Sequence, residues 1–305
     1  MLSKTMFTKE YILSLQQATG NDPTLLERVI YAFGLLEAIK KAELPFCFKG
    51  GTSLMLLLDR PRRLSTDIDI ITAPGTNIDM YINRAKEIFP FIDVTEDVRF
   101  NKNNIEKRHF RFKYHSPRSE HDVTILLDVL FEELQYEHVE ERPIKNQFLL
   151  TEGEDISVSV PNINGMLGDK LTAFAPHTTG VPFGIGKELE IIKQIFDCGV
   201  LFDFMTDYQE VSITYQRTVR AEMMYRDLPI SQEDVLKDTI AGCLCIASHG
   251  TLNSEDYARY KDGIARIRNH ILGNKFSGEI AGAYASRVLY LAAALLTGQK
   301  LRNCA

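Results

Sequence analysis

Long uninterrupted apolar runs are missing from this chain of 305 residues. The opening stretch, MLSKTMFTKEYILSLQQATG, lacks the continuous apolar core of a signal peptide. The most apolar C-terminal stretch, EIAGAYASRVLYLAAALLTGQ, is broken by Arg287 and by many small residues. It reads as a buried core helix, because a membrane span takes ~20 mostly apolar residues without a central charge. An excess of positive charge is missing too. The formal net charge is -6, which excludes a global basic field and leaves local clusters such as Arg60, Arg62 and Arg63 as the only basic surface in view. Cysteines number 5, with only Cys243 and Cys245 close together. That excludes a CxxC or Cys/His zinc spacing and a disulfide framework. Internal repeats, low-complexity tracts and the Walker pattern GxxxxGK[ST] are likewise absent, so the chain is no P-loop protein. What is there is ordinary: 45% hydrophobic and 25% charged residues, the composition of a soluble globular protein with one large domain or two smaller ones. A reducing cytoplasm is the expected location.

The pattern along the chain predicts a mixed α/β half followed by a helical half. Two helices open it. The second starts at Asn21-Asp22-Pro23, a capping residue and a proline suited to a first turn, and carries Leu25, Leu26, Val29, Ile30, Phe33, Leu36 and Ile39 at helical spacing. Phe46-Cys47-Phe48 reads as a short buried strand. Gly50-Gly51-Thr52-Ser53 then turns the chain into an apolar helix at Leu54–Leu58. A strand is expected at Asp67–Thr72, a helix at Asn77–Phe89 and a hairpin between Lys107 and Leu130, where HFRFKY alternates with the period of a strand. Short strands are expected at Gln147–Leu150 and Ile156–Val160. Helices follow at Ile163–Phe174, Lys187–Phe204, Tyr208–Tyr225, Glu233–Ser248, Ser254–Leu272 and Glu279–Leu296. The domains are set at 1–160 and 161–305.

One stretch calls for chemistry: CFKGGTSLMLLLDRPRRLSTDIDIIT, Cys47 to Thr72. Carboxylates inside an apolar strand are costly unless something compensates them. On a strand, Asp67 and Asp69 face one way while Ile68 packs the other. Asp128 sits in VTILLDVLF, apolar enough to be the neighbouring strand. Three converging carboxylates repel one another, and a divalent cation is the natural compensation. Mg²⁺ prefers carboxylate and phosphate oxygens, with Mn²⁺ as an alternative, so the site suits a nucleoside triphosphate (NTP). Gly50 and Gly51 opening a helix would let phosphate oxygens approach free backbone N–H groups, and Ser53 or Ser65 would add a hydroxyl donor.

These residues carry a family resemblance. KGGTSL followed by RLSTDIDI resembles the signature of the nucleotidyltransferase AbiEii/AbiGii toxin family, within the DNA polymerase β-like superfamily. That superfamily's pattern runs hG[GS], [DE]h[DE] and h[DE]h, and Gly50-Gly51, Asp67-Ile68-Asp69 and Leu127-Asp128-Val129 match it in order. Arg63-Leu64-Ser65-Thr66-Asp67-Ile68-Asp69 matches the family's Arg-x-Ser-x-Asp-x-Asp run. VPNINGMLGDKLTAF is similar to the segment whose helical lysine binds the triphosphate, which points to Lys170. Lys193-Gln194-Ile195-Phe196-Asp197 occupies the place of an Arg-Asp-x-x-Asp segment, with Lys193 and Asp197 in the basic and acidic positions and Gln194 replacing an acid. The resemblance covers roughly residues 10 to 205.

The resemblance implies an α+β fold: a polymerase β-like core of mixed sheet and flanking helices, and a mainly helical C-terminal domain completing the nucleotide cleft. It also implies a metal-dependent nucleotidyltransferase, the toxin of a bacterial toxin–antitoxin or phage-defence pair, adding a nucleotide to RNA, with tRNA as acceptor and an antitoxin encoded nearby. Asp67, Asp69 and Asp128 would hold Mg²⁺, with Asp128 also activating the acceptor hydroxyl. Gly50, Gly51, Thr52, Ser53, Arg63 and Ser65 would hold the triphosphate, and Lys170 would neutralise its developing charge. A protein or small-molecule acceptor, a Mn²⁺ glycosyltransferase and a non-catalytic NTP-binding module are the alternatives; the glycosyltransferase gives no role to Gly50-Gly51 or Asp128. Other conspicuous residues read as structural. His109, His115 and His121 are expected as exposed strand or loop histidines, Cys243 and Cys245 as core residues, and Glu132 and Glu133 as a solvated strand end. His177 lies in the Pro/Gly loop at 175–186, where it would border a substrate cleft.

Overall fold

The computed structural model describes residues 1–98, 106–227, 229–273, 275–299 and 301. They form two compact units, one of residues 1–134 and 139–161, the other of 135–138 and 162–305.

The first unit opens with α1 (Lys9–Thr19) and α2 (Pro23–Lys41). Asp22 caps α2 by accepting from the Thr24 N–H at 2.6 Å, and Pro23 takes the first turn, where a missing N–H costs nothing. β1 (Cys47–Lys49) runs straight into α3 (Gly50–Leu57), so the glycines form the first turn of that helix rather than a loop before it. β2 (Ile68–Thr72), α4 (Ile78–Lys86), β3 (Asp93–Glu96), β4 (Lys107–His115), β5 (Asp122–Phe131), β6 (Val139–Pro143) and β7 (Ser157–Pro161) follow. The strands make one mixed sheet in the order β3-β4-β5-β2-β1-β7-β6. β2 runs parallel to β5 and β1 parallel to β7, and the other neighbours are antiparallel.

Directly opposed residues on neighbouring strands share a face. One face is a continuous core of Phe48, Ile68, Ile70, Phe110, Phe112, Tyr114, Leu127 and Val129, all buried. α2 lies on it, with Tyr31 stacked on Tyr114 at 3.6 Å between ring centres. Glu27 of α2 is buried there but paired: Arg118 Nε donates to it at 2.9 Å and the Tyr114 hydroxyl at 3.2 Å. Burial beside this carboxylate pushes the Tyr114 phenol far above its ordinary range.

The expected strand at Gln147–Leu150 is not one. Phe148 and Leu149 are buried, but in a turn in which Asn146 Oδ1 accepts from the Phe148 N–H at 2.9 Å. The strand in that region is β6, VEERP.

The second unit is helical: α5 (Ile163–Ala173), α6 (Glu188–Phe202), α7 (Tyr208–Arg226), α8 (Gln232–Ala247), α9 (Ser254–Ile267) and α10 (Gly278–Thr297). The segment 135–138 belongs to it because its side chains bind there. The Tyr136 hydroxyl donates to Asp169 at 2.9 Å, and His138 Nδ1 donates to Glu210 at 3.0 Å. Among the described residues α10 is the helix long and apolar enough to cross a bilayer. Here it packs on α6 and α8 through Ala281, Ala285, Val288 and Leu291, and Arg287 pairs with Asp203 at 3.0 Å. Cys243 and Cys245 are both buried.

Candidate active site

The site grows from the first turn of α3, where the chain leaves β1. Gly50 holds φ +81°, a left-handed conformation that L side chains rarely adopt. This turn faces the run that follows α3. A Cβ on Gly50 would collide with the Asp69 carboxyl group, whose Cγ would stand 2.8 Å away. A Cβ on Gly51 would strike the Arg63 guanidinium and lie 2.8 Å from Ser65 Oγ. The next residue, Thr52, donates its hydroxyl to the Asp67 carbonyl at 2.6 Å. The two motifs, separated in sequence by α3, are therefore in contact residue by residue. Ser53 donates to the Gly50 carbonyl at 2.9 Å. Thr52 and Ser53 are fully buried, so their hydroxyls brace the turn from inside. Arg63 is 6% exposed, and its Nη1 donates to the Leu64 carbonyl at 3.2 Å.

Sheet register gathers the acids. Asp69 on β2 lies directly opposite Asp128 on β5. Lys49 on β1 lies opposite Asp69, and His109 on β4 opposite Asp128. Together, Lys49, Asp69, Asp128 and His109 make one row across four strands, on the face away from α2. Adjacent strands stand about 5 Å apart, so two bare carboxylates on them repel by about 3 kcal/mol at an effective dielectric constant near 20. Lys49 and His109 stand at the two ends of the row. His109 Nδ1 stands 2.6 Å from Asp128 Oδ1, and the His109 side chain is 14% exposed.

Asp67 immediately precedes β2 rather than lying in it. Among the described residues no group of three or more His, Cys, Asp or Glu side chains forms a ready-made metal cage. The donor chemistry nonetheless fits Mg²⁺, which typically takes one or two carboxylates and completes its shell with water and substrate phosphates.

Lys170, Lys193 and Asp197 lie in the helical unit. Lys170 on α5 is 6% exposed and pairs with Asp197 on α6, itself 1% exposed, at 2.8 Å. Lys193 pairs with Glu190 one turn away at 2.9 Å. Cys198 lies next to this pair, and burial raises its thiol pKa far above the ordinary value despite Lys170, so it is no thiolate nucleophile. His177 pairs with Asp256 at 2.9 Å and lines a cavity of about 370 Å³ with Cys245, Asn253 and Tyr260.

His109 is the residue that its sequence context left out of the site. The signal was present. With His115 opposite Asp122 at the hairpin turn, counting back along both strands sets His109 opposite Asp128. Lys49 follows in the same way from the pairing of β1 with β2.

No curated protein matches the chain. In fold it is similar to the crystal structure of JHP933 from Helicobacter pylori, at 14% identity, covering 90% of this chain and 94% of that one with a TM-score of 0.50. It is also similar, at a TM-score of 0.40 and 16% identity, to an antigenic nucleotidyltransferase-like protein from Paracoccidioides brasiliensis, covering 66% of this chain and 89% of that one. The model of the AbiEii nucleotidyl transferase toxin of type IV toxin–antitoxin systems matches residues 35–267. That match takes in the Gly-Gly turn, the aspartates and Lys170, and the chain belongs to the AbiEii nucleotidyltransferase toxin family.

Proposed function

We propose that the protein is a metal-dependent nucleotidyltransferase that moves a nucleotide from an NTP to an RNA acceptor, tRNA foremost, as the cytoplasmic toxin of a toxin–antitoxin or phage-defence pair. The observation that supports this best is the contact of the Gly50-Gly51 turn with Arg63, Ser65 and Asp69, beside the pairing of Asp69 with Asp128. The glycine turn and a carboxylate pair then share one end of α3. Asp67 and Asp69 would hold Mg²⁺, with Asp128 beside them. When bound, the ion supplies charge neutralisation on the triphosphate and lowers the pKa of an attacking hydroxyl. Gly50 and Gly51 offer close backbone approach at a helix N-terminus, which favours anions. Arg63 adds a guanidinium suited to phosphate oxygens.

In the reaction, the acceptor hydroxyl oxygen forms a bond to the α-phosphorus. The bond from that phosphorus to the bridging oxygen breaks, and pyrophosphate leaves with the electron pair. Asp128 accepts the hydroxyl proton. The family's toxin character also supports a cognate antitoxin as partner.

The acceptor is found by incubating the protein with Mg²⁺, each α-labelled NTP in turn and total bacterial RNA, with Asp67→Ala alongside. Label in a tRNA-sized band with the wild type only is the expected result. Label on protein or on a small molecule instead would replace RNA as acceptor. NTP binding without transfer to any acceptor would leave a non-catalytic module.

A further inference from the structure

The contact between His109 and Asp128 carries an inference about how the third carboxylate is held. Asp128 has two oxygens, and one of them is taken: Nδ1 of His109 stands 2.6 Å from Oδ1. A ring nitrogen this close to a carboxylate oxygen carries the proton and donates it. The pair lies on directly opposed residues of β4 and β5, so two hydrogen-bonded strands fix both backbones. The His109 side chain is mostly buried at 14% exposure, whereas Asp128 retains 33%. The histidine therefore acts as an inward anchor and the carboxylate remains accessible. Asp69 lies on the opposite side of Asp128 in the same row, and its negative charge favours rotation of the Asp128 carboxylate away from it. A donor on the far side opposes that rotation.

We propose that His109 is a positioning residue for the transfer reaction: its Nδ1–H holds the Asp128 carboxylate in one orientation, leaving the second carboxylate oxygen for the acceptor hydroxyl. The proposal rests on the nucleotidyltransferase reading given above. It predicts a kinetic signature that plain packing does not. His109→Ala lowers kcat by about 10- to 100-fold, the range typical when a residue orienting a functional group is lost. KM for the NTP stays within about threefold, because the triphosphate cradle at Gly50 and Gly51 is untouched. His109→Asn, whose amide N–H can reach the same carboxylate, recovers most of that loss.

The test measures kcat and KM for wild type, His109→Ala, His109→Asn and Asp69→Ala, with far-UV circular dichroism on each. A second readout does not depend on turnover: ¹H–¹⁵N spectra of the histidine rings in the full chain. These should show Nδ1 of His109 protonated, with its signal shifting in Asp128→Asn. Wild-type kcat in a folded His109→Ala, with Asp69→Ala inactive, overturns the positioning role and leaves the nucleotidyltransferase reading in place. Asn as slow as Ala overturns it too, as does an unprotonated Nδ1. Full transfer by Asp69→Ala would remove the site itself and the proposal with it.

Discussion

Replacing Gly50 by alanine should damage the protein in two separable ways. At φ +81° an alanine pays roughly 1–2 kcal/mol for the left-handed conformation alone. For a unit of this size that lowers Tm by roughly 2–8 °C. The added methyl must also displace the Asp69 carboxyl group, because it would lie 2.8 Å from Cγ and 3.0 Å from Cβ. Asp69 cannot yield far, since it sits mid-strand between Lys49 and Asp128. Misplacing a reacting group by about 1 Å costs on the order of 100-fold in rate, so transfer should fall by at least that much. Gly20→Ala is the control. Gly20 also has positive φ, at +71°, but open space where the methyl would go. It should show a comparable Tm loss with transfer unchanged. Thermal melts and single-turnover transfer with an α-labelled NTP measure both effects. The reasoning fails if Gly50→Ala transfers at the wild-type rate, or if Gly20→Ala loses as much activity.

Two further outcomes follow from the helical unit. Lys170→Met removes a buried charge-assisted hydrogen bond to Asp197 and should destabilise by about 1.5–3 kcal/mol in denaturant titrations, whereas Lys170→Met with Asp197→Leu should recover most of that loss; a single mutant as stable as the wild type would refute the buried-pair assignment. His138 has its pKa raised above the ordinary 6.5, first by its hydrogen bond to Glu210 and then by that residue's charge. The pair's stabilisation is therefore fully present below about pH 6.5 and fades as pH rises through the raised value. The Tm gap between wild type and His138→Ala should shrink from pH 6 to pH 9, and a constant gap would contradict the assignment.

Most of the architecture was legible because burial left a periodic trace. The α2 stripe, the HFRFKY alternation and the apolar β5 each became the expected element. What escaped was polar or non-local. β3 (DVTE) and β6 (VEERP) sit at the two edges of the sheet, expose most of their side chains and lack an apolar face to announce them. Phe148 and Leu149 bury apolar surface in a turn, so their hydrophobicity mimicked a strand. The site divides along the same line. The Gly-Gly turn and Asp67, Asp69 and Asp128 stood out because charge in apolar surroundings needs compensation. His109 and Lys49 did not, because their place in the row depends on strand register. The burial of Lys170 was not legible because its partner, Asp197, lies on the next helix.

On the proposed function, the row beside the Gly-Gly turn moves a nucleotidyl group rather than a phosphoryl group. The direct measurement uses one NTP labelled in parallel at the α- or the γ-phosphate, with Mg²⁺, acceptor RNA, and wild type against Asp69→Ala. Nucleotidyl transfer puts the α-label on the acceptor and releases the γ-label as pyrophosphate, with the wild type only. A γ-label on the acceptor, or an α-label transferred equally by Asp69→Ala, would rule out nucleotidyl transfer by this row.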